Sequence, residues 1–150
     1  MDRFDRAIIR ELLRDGRQTA TALAAAVGLS KTPTLARLRG LERAGVIRGY
    51  TARIDPAVLD RAHVAFVELR LADTREPALQ AFNAAVAALP EVESCHMIAG
   101  SFDYLLKVRT RDVAAYRRTL GERISTLPHV ASTSTYVAME TVKDPTEDGS

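Results

Sequence analysis

The 150-residue chain has no tryptophan, a single cysteine and no long apolar segment. Because Cys95 stands alone, neither an intrachain disulfide nor a cysteine-cluster zinc site can form. No stretch approaches the roughly 20 apolar residues that cross a bilayer, and the first five residues form no hydrophobic signal segment. We therefore expect a protein of the prokaryotic cytoplasm without a membrane partner.

The net charge of +2 conceals an uneven distribution of charge. Residues 1–55 hold eleven basic and six acidic residues, a net charge of +5, whereas residues 56–150 hold ten and thirteen, a net charge of −3. A basic N-terminal part is expected to face phosphate groups. A solvated charged surface would give the same composition, so the asymmetry does not decide between the two.

Residues 19–49 have the pattern of a helix-turn-helix followed by a short hairpin. Gly28 ends an apolar stripe, because glycine adopts the left-handed backbone at a helix end with little steric cost. Ser30 is placed to cap the next helix, and Pro33 lies in its first turn. An apolar helix over residues 2–15 would pack on these two. Leucines then repeat at three-residue steps on one face of the second helix: Leu35, Leu38 and Leu41.

This arrangement predicts contact with double-stranded DNA, because the second helix of such a motif enters a groove. We expect Arg37 to contact a base edge, and Arg43 and Arg48 to contact the sugar–phosphate backbone. A solubilising helix face is the alternative for each basic residue, and helix capping is the alternative for Ser30 and Thr32. The remaining predicted contacts are polar residues of the same helix: Ser30, Lys31, Thr32, Thr34 and Arg39.

Two short strands, residues 46–47 and 50–54, are predicted after this helix, with Arg48 and Gly49 at the turn between them. They would form the wing of a winged helix-turn-helix. The Asp55–Pro56 pair marks a boundary, because proline restricts the preceding residue and lacks an N–H group. We therefore predict a DNA-binding domain over residues 1–55 and a linker over residues 56–61.

Residues 62–143 have the pattern of an α+β domain in which the elements follow the order strand, helix, strand, strand, helix, strand. Residues 63–71 alternate as in a strand with one buried face. A helical stripe follows and ends at Pro90, residues 92–99 and 104–110 are extended, and residues 130–142 form the last strand. The second helix is expected to bury Val113, Tyr116, Leu120, Ile124 and Leu127. This order predicts a ferredoxin-like βαββαβ domain, followed by a frayed tail over residues 144–150.

Two helices can cover only one face of a four-stranded sheet. The other face must be wet or must meet a partner, and several residues assigned to it are apolar: Val64, Phe66, Leu105, Val137 and Met139. A homodimer that packs sheet against sheet would bury them, since a stable pair typically buries about 800 Å² per partner.

Candidate catalytic and metal-ligating residues are few. The three histidines, His63, His96 and His129, lack ligand spacing, so we predict no metal. Cys95 and His96 are adjacent on a strand and would point to opposite faces. With no glycine-rich phosphate loop or Gly-x-Ser-x-Gly elbow, we predict that the chain is not an enzyme. Asp103 follows a turn, and either an Asx-turn role or recognition of a ligand's ammonium group would explain it.

Several ordered segments resemble the Lrp/AsnC (feast/famine) family of bacterial and archaeal transcription regulators, and its leucine-responsive branch most closely. The resemblance runs from Asp2 to about Lys143. Its first part lies in residues 2–8, 27–30, 37–38, 41–42 and 45–50, which resemble the family's first helix and winged helix. Its second part lies in residues 92–96, 100–108 and 135–137, which resemble the family's effector domain.

The resemblance implies homodimers that assemble further, often into octamers, and a nucleoid-associated protein that bends or wraps DNA. It also implies a small amino-acid effector, leucine-like by preference, and no other cofactor. Carried over by position, the effector site involves the turn before the third strand, the last strand and, as a weaker candidate, Val113. Its other residues are Met97, Gly100, Phe102, Asp103, Tyr104, Thr133, Thr135, Tyr136, Val137 and Ala138.

The sequence thus predicts a sequence-specific DNA-binding regulator of amino-acid metabolism whose oligomerisation or DNA affinity responds to an amino acid. Alternatives are a local regulator of one catabolic operon that answers to proline or another amino acid, and an architectural DNA-binding protein of low specificity. An enzyme on a ferredoxin-like scaffold is a further alternative. Gly40 and Lys31 depart from the family's usual residues, and we expect this protein's particular operator preference to arise at these two positions.

Overall fold

The computed structural model describes residues 1–145, and the chain divides into two compact units, Met1–Arg53 and the part from Ile54 onward. Within residues 1–145, no helix is both long and apolar enough to cross a membrane. Residues 56–61, the predicted linker, contain a short 3-10 helix, Pro56–Leu59. Asp55 caps it, because its Oδ1 accepts from the amide of Ala57 at 2.9 Å.

Three helices form the N-terminal unit: α1 (Arg3–Arg14), α2 (Ala20–Val27) and α3 (Lys31–Arg43). Asp2 caps α1, because its Oδ1 accepts from the amides of Phe4 and Asp5 at 2.8 and 3.0 Å. Helix α2 ends at Gly28, whose φ of +71° is the left-handed conformation expected there. The helices enclose one apolar core that consists of Ile8, Leu23, Val27 and Leu41.

The two strands predicted after α3 do not form. Residues 44–55, all of which the structure describes, contain no strand. The amides of Val46 and Ile47 both donate to the carbonyl of Leu41, at 3.0 and 3.2 Å, and so complete the last turn of α3. Because these amides already have a partner, they cannot build a ladder with residues 50–54.

The C-terminal unit has the predicted element order: β1 (His63–Leu71), α4 (Glu76–Ala87), β2 (Val92–Met97), β3 (Tyr104–Thr110), α5 (Val113–Thr119) and β4 (Val130–Val137). The strands form one sheet in the order β2-β3-β1-β4, and every neighbouring pair is antiparallel. The ferredoxin-like prediction is therefore confirmed.

One face of this sheet packs on helices. Ala65, Val67 and Leu69 alternate along β1 and are fully buried, as the sequence predicts for this strand. Phe82 of α4 packs against Tyr104 with a ring-centroid distance of 4.4 Å and the two ring planes tilted by 42°. These residues belong to the larger of the two cores, which α5 completes with Tyr116 and Ile124.

Two details of the predicted second helix are wrong. The α-helical part, α5, ends at Thr119, and a wider π-helical turn, Leu120–Ile124, follows it directly. Val113 is 59% exposed, because the buried stripe begins one turn later at Tyr116. The helix therefore presents Val113 to solvent.

The C-terminal segment crosses the second face of the sheet. Strand β4 ends at Val137 and not at residue 142 as predicted. Asp144 is buried and binds Lys107 and, at 3.2 Å, Arg109. The register places these two side chains on the same face as Phe66 and Val64.

Two predictions change as a consequence. Asp144 is not frayed, because two cations hold it, while residues 146–150 of the predicted tail lie outside the described part of the chain. Val64 is only 5% exposed, although Phe66 at 37% and Tyr136 at 55% remain exposed on this face. Val137 pairs with Ala65 and so belongs to the helix-covered side. The exposed apolar face is thus smaller than the sequence predicts.

Candidate functional site

Helix α3 presents a polar outward surface. Thr32, Arg39 and Arg43 are exposed and lie on one side of the helix, given 3.6 residues per turn. Ser30 and Lys31 are exposed at its N-terminus, and Arg48 is exposed beyond its end. These six residues form what we call the α3 face. Among the residues directly next to these six in sequence, the only acidic one is Glu42. Its carboxylate accepts from the Tyr50 hydroxyl at 2.9 Å.

Thr34 does not belong to the α3 face, which corrects its placement among the outward polar residues. It is fully buried, and its hydroxyl donates to the carbonyl of Ser30 at 2.9 Å. Ser30 occupies the N-cap position of α3, but its side chain makes no capping hydrogen bond, contrary to the prediction. A β-branched residue that bonds to the preceding turn satisfies its own hydroxyl and can enter the core.

Arg37 lies on the flank of α3 that meets α1. Its Nη1 donates to Asp2 Oδ2 at 2.6 Å and to Asp5 Oδ1 at 2.8 Å. Its guanidinium carbon also lies 5.4 Å from the centroid of the Phe4 ring. The residue expected to contact a base edge is therefore held by two carboxylates of the first helix, and about a third of its side chain is exposed.

Arg37 and each of the two carboxyl groups stabilise one another's charged forms, whereas the charge of Asp2 opposes the ionisation of Asp5. The amide of Asp5 lowers the pKa of the Asp2 carboxyl, and Arg37 lowers it further. The amide of Asp2 and then Arg37 lower the pKa of the Asp5 carboxyl. Hydrogen bonds to Asp5 and Asp2 raise the pKa of the Arg37 guanidinium. All three groups remain charged at neutral pH, so the contact is a permanent ionic link.

In the C-terminal unit, Asp103 ties the turn between β2 and β3 to the end of β1. Its amide donates to the carbonyl of Leu69 at 2.9 Å, and its carbonyl accepts from the amide of Ile98 at 2.8 Å. Its Oδ2 accepts from the amide of Leu71 at 2.7 Å. This carboxylate thus serves a distant strand rather than a local Asx-turn. Among the described residues its Oδ1 has no partner, so it is free to accept from a ligand.

The predicted effector residues separate into two groups within one chain. Met97, Tyr104 and Thr133 lie in one row across the sheet, with Leu69 between the last two. The row lies at one end of the sheet, next to the turn between β2 and β3 that carries Gly100, Phe102 and Asp103. Met97 and Thr133 are three strand spacings apart, or about 14 Å. They cannot both contact a ligand of amino-acid size.

The second group lies toward the other end of the same sheet. Val137 is opposite Ala65, and Ala138 donates its amide to Val64 at 3.0 Å. Val113 begins α5, just after β3 ends at Thr110. Because β3 rises about 3.3 Å per residue, the two ends of the sheet are about 20 Å apart. Thr135 and Tyr136 lie between the two groups. The Thr135 hydroxyl is hydrogen-bonded to the Tyr116 hydroxyl.

A groove of about 480 Å³ runs between α4 and the exposed edge of β2. Two predicted effector residues, Met97 and Tyr104, line it, and the Tyr104 hydroxyl donates to Asn83 Oδ1 at 2.7 Å. Cys95 also lines the groove, and burial raises the pKa of its thiol to about 11. The thiol is therefore protonated at neutral pH and is a poor nucleophile.

The register separates Cys95 from His96, as expected for neighbours on a strand. Cys95 pairs with Leu106 on the helix-covered side, and His96 pairs with Leu105 on the other side. Across residues 1–145, no cluster of three or more His, Cys, Asp or Glu side chains could hold a metal ion.

Sequence reasoning missed three acidic residues that organise these surfaces. Asp2 and Asp5 form a capping box, since the amide of Asp2 donates to Asp5 Oδ2 at 2.9 Å. Their spacing of three residues before an apolar run is a signal that could have been used. Asp144 has no such local signal, because its partners are 35 and 37 residues away.

Two family models match the chain and together cover most of it. Residues 64–148 match the Lrp/AsnC ligand binding domain, and residues 1–48 match a winged helix-turn-helix DNA-binding domain.

Characterised relatives align over almost the full length. A proline dehydrogenase transcriptional activator from Rhodobacter capsulatus is 57% identical over 142 residues, which cover 95% of this chain and 92% of the relative. A leucine-responsive regulatory protein from Salmonella typhimurium is 50% identical over 143 residues, which cover 95% and 87%.

Solved structures also match over both units. An AsnC family transcriptional regulator from Agrobacterium tumefaciens has a TM-score of 0.90 at 36% identity, covering 96% of this chain and 94% of that one. A transcriptional regulator from Neisseria meningitidis, solved as an L-Met complex, has a TM-score of 0.89 at 30% identity, covering 96% and 93%.

Proposed function

The chain belongs to the Lrp/AsnC family of DNA-binding transcriptional regulators, and on that basis we propose how it binds DNA and which ligands control it. The α3 face contacts the DNA groove, with Arg39 and Arg43 directed outward. Ser30, Lys31, Thr32 and Arg48 lie at its ends. Arg37 contacts a base edge from the flank, with the nitrogens that Asp2 and Asp5 leave unoccupied.

The observation that carries this proposal is the exposed, basic α3 face on a helix braced by a buried core. Titration of a DNA fragment selected by the protein from a random library, against random DNA, tests it. Specific binding should be tighter at physiological salt, and Arg37→Ala should reduce it by about 1–3 kcal/mol. Equal affinity for both DNAs would favour the architectural alternative. If Arg37→Ala leaves the affinity for the selected DNA unchanged, Arg37 does not belong to the interface.

A small amino acid regulates assembly or DNA affinity. The Neisseria relative was solved with L-methionine, which supports an apolar amino acid as the ligand class. A leucine-like effector is one candidate, in line with the leucine-responsive relatives at about 50% identity. Proline is the second, because two proline dehydrogenase activators have the higher identities of 57% and 54%.

The effector site requires a second copy of the chain. The two groups of predicted residues lie at opposite ends of one sheet, so a homodimer, or a larger assembly such as an octamer, would bring one end against the other. Phe66 and Tyr136 are exposed on the sheet face that such a partner would cover. The molar mass of the Phe66→Glu variant, measured by light scattering, tests this arrangement. A monomeric variant supports the interface on this sheet face, and a variant that assembles like the parent protein contradicts it.

Thermal denaturation with each of the twenty amino acids identifies the effector. An effector present at 100 times its Kd should stabilise the native protein by about 2.7 kcal/mol. A shift with leucine or with proline chooses between the candidates. No shift with any amino acid would overturn the effector proposal while leaving the DNA titration unaffected. Since DNA is the partner, we place the protein in the bacterial cytoplasm, on the nucleoid.

A further inference from the structure

Helix α1 carries a row of arginines on the side opposite its core residue. Ile8 is fully buried, and the residues around it face the other two helices. The arginines repeat every three or four residues, which confines them to a stripe about 100° wide at 3.6 residues per turn. All are exposed, and together they form what we call the α1 stripe: Arg3, Arg6, Arg10 and Arg14.

The acidic residues of α1 do not neutralise this stripe. Asp2 and Asp5 are committed to Arg37 and to the capping box. Glu11 approaches only Arg14, at 3.3 Å, and that arginine is still 76% exposed. Among residues 1–145, no carboxylate pairs with Arg6 or Arg10. The stripe is therefore a surface of one charge sign.

Such an arrangement is unfavourable for the helix alone. Like charges spaced four residues apart, as in Arg6–Arg10 and Arg10–Arg14, destabilise a helix. Positive charges in the first turn also oppose the helix dipole. A polyanion would relieve both effects, and guanidinium groups bind phosphate through paired hydrogen bonds.

We propose that the α1 stripe binds the phosphate backbone of DNA that lies outside the segment contacted by the α3 face. The inference rests on the proposed DNA interface and extends it. Arg6, Arg10 and Arg14 lie on the side of α1 opposite Ile8, whereas Arg3, at the start of the stripe, shares the Phe4 ring with Arg37. From Arg6 to Arg14 the helix rises about 12 Å, which matches roughly three to four nucleotides of one strand.

The test compares Arg6→Gln/Arg10→Gln with the matched control Arg117→Gln/Arg118→Gln. Both variants remove two exposed arginines from a helix, and the control residues lie on α5. The DNA is a duplex selected by the parent protein from a random library. It is used once trimmed to the base pairs that the selection enriches and once with random-sequence flanks on both sides.

Affinity is measured as a function of salt. Each lost phosphate contact lowers the slope of log K against log salt by about 0.9, so on the flanked duplex the stripe variant should lose about 1.8 for each protomer whose stripe contacts the DNA. On the trimmed duplex it should match the parent, and the control should match on both. Arg6→Lys/Arg10→Lys keeps the charges and should retain most of the slope.

Three results would overturn the proposal. An unchanged slope on the flanked duplex would make the stripe a solvated helix face. Equal losses on both duplexes would place it within the segment contacted by α3. Equal losses in the stripe and control variants would show a general charge effect. Failure of the α3 interface itself would be seen separately, as lost sequence preference of the parent protein on the trimmed duplex.

Discussion

Arg37 Nη1 donates to Asp5 Oδ1 at 2.8 Å and so joins the middle of α3 to the first turn of α1. The contact spans 32 residues, and only 17% of the Asp5 side chain is exposed. Partly buried, charge-assisted hydrogen bonds of this kind are stronger than exposed ion pairs. The orientation of α3 thus depends on the cap of a different helix.

Replacing Asp5 should therefore weaken the N-terminal unit. Asp5→Ala removes one partner of Arg37 and half of the capping box, so we expect a loss of about 1 kcal/mol or more in the free energy of unfolding. Asp15→Ala is the matched control, because Asp15 is the C-cap of α1 and, among the described residues, its side chain accepts only from the amide of Arg17. Urea denaturation measures both. A smaller loss for Asp5→Ala than for Asp15→Ala would contradict the bracing role.

Gly40 should be replaceable with a gain in stability. It lies inside α3, and a Cβ placed there would meet no atom within 4 Å. Gly40→Ala should stabilise the protein by roughly 0.5–1 kcal/mol, because alanine loses less backbone entropy in a helix. Gly45→Ala has equal space but a φ of +70°, so it should destabilise. Thermal melting distinguishes the two, and matching shifts would refute this account.

Asp103 can be tested with two substitutions that separate structure from ligand binding. Asp103→Ala leaves the amide of Leu71 without its acceptor and should cost about 1–3 kcal/mol of stability. Asp103→Asn keeps an oxygen acceptor but removes the charge. It should melt close to the parent protein and lose the shift caused by an amino-acid effector. A retained shift would exclude Asp103 as the ammonium partner.

Asp144 should be among the most sensitive acidic residues of the C-terminal unit. It binds Arg109, which is 4% exposed, and Lys107, and Glu93 binds the same two cations. Asp144→Ala leaves buried positive charge with fewer partners, and we expect a loss of about 3 kcal/mol. Glu140→Ala, at an exposed position nearby, should change little. Calorimetry of both variants is the measurement, and equal transition temperatures would count against the network.

Acid sensitivity should reflect Asp73. Hydrogen bonds from the Arg75 guanidinium lower the pKa of this carboxyl from 3.8 to about 2. Because the folded-state pKa is the lower one, the contribution to stability is present above about pH 4 and is lost as the pH falls through 2. Asp73→Asn should therefore lose less stability than the parent between pH 5 and pH 2. Urea denaturation at both pH values checks the sign, and a greater loss in the variant would refute it.

Local interactions made much of the fold predictable. The glycine stop at Gly28 and the alternation along β1 each involve residues within a few positions of one another. The order of elements then selects the ferredoxin-like sheet, because few topologies connect them without crossings. The resemblance to the family rests on short motifs that occur in the expected order along the chain. None of these conclusions required knowledge of a long-range contact.

The local sequence pattern does not determine which residues remain accessible at the candidate site. Thr34 and Thr32 look alike in sequence, yet the first is buried and the second exposed. Arg37 meets its carboxylates across 32 and 35 residues, and Asp144 meets Arg109 across 35. Helical and strand periodicity predicts the side of an element on which a residue lies. The partner of such a residue is set by how distant elements pack against one another. This packing buries charged groups, and a buried charge requires a partner.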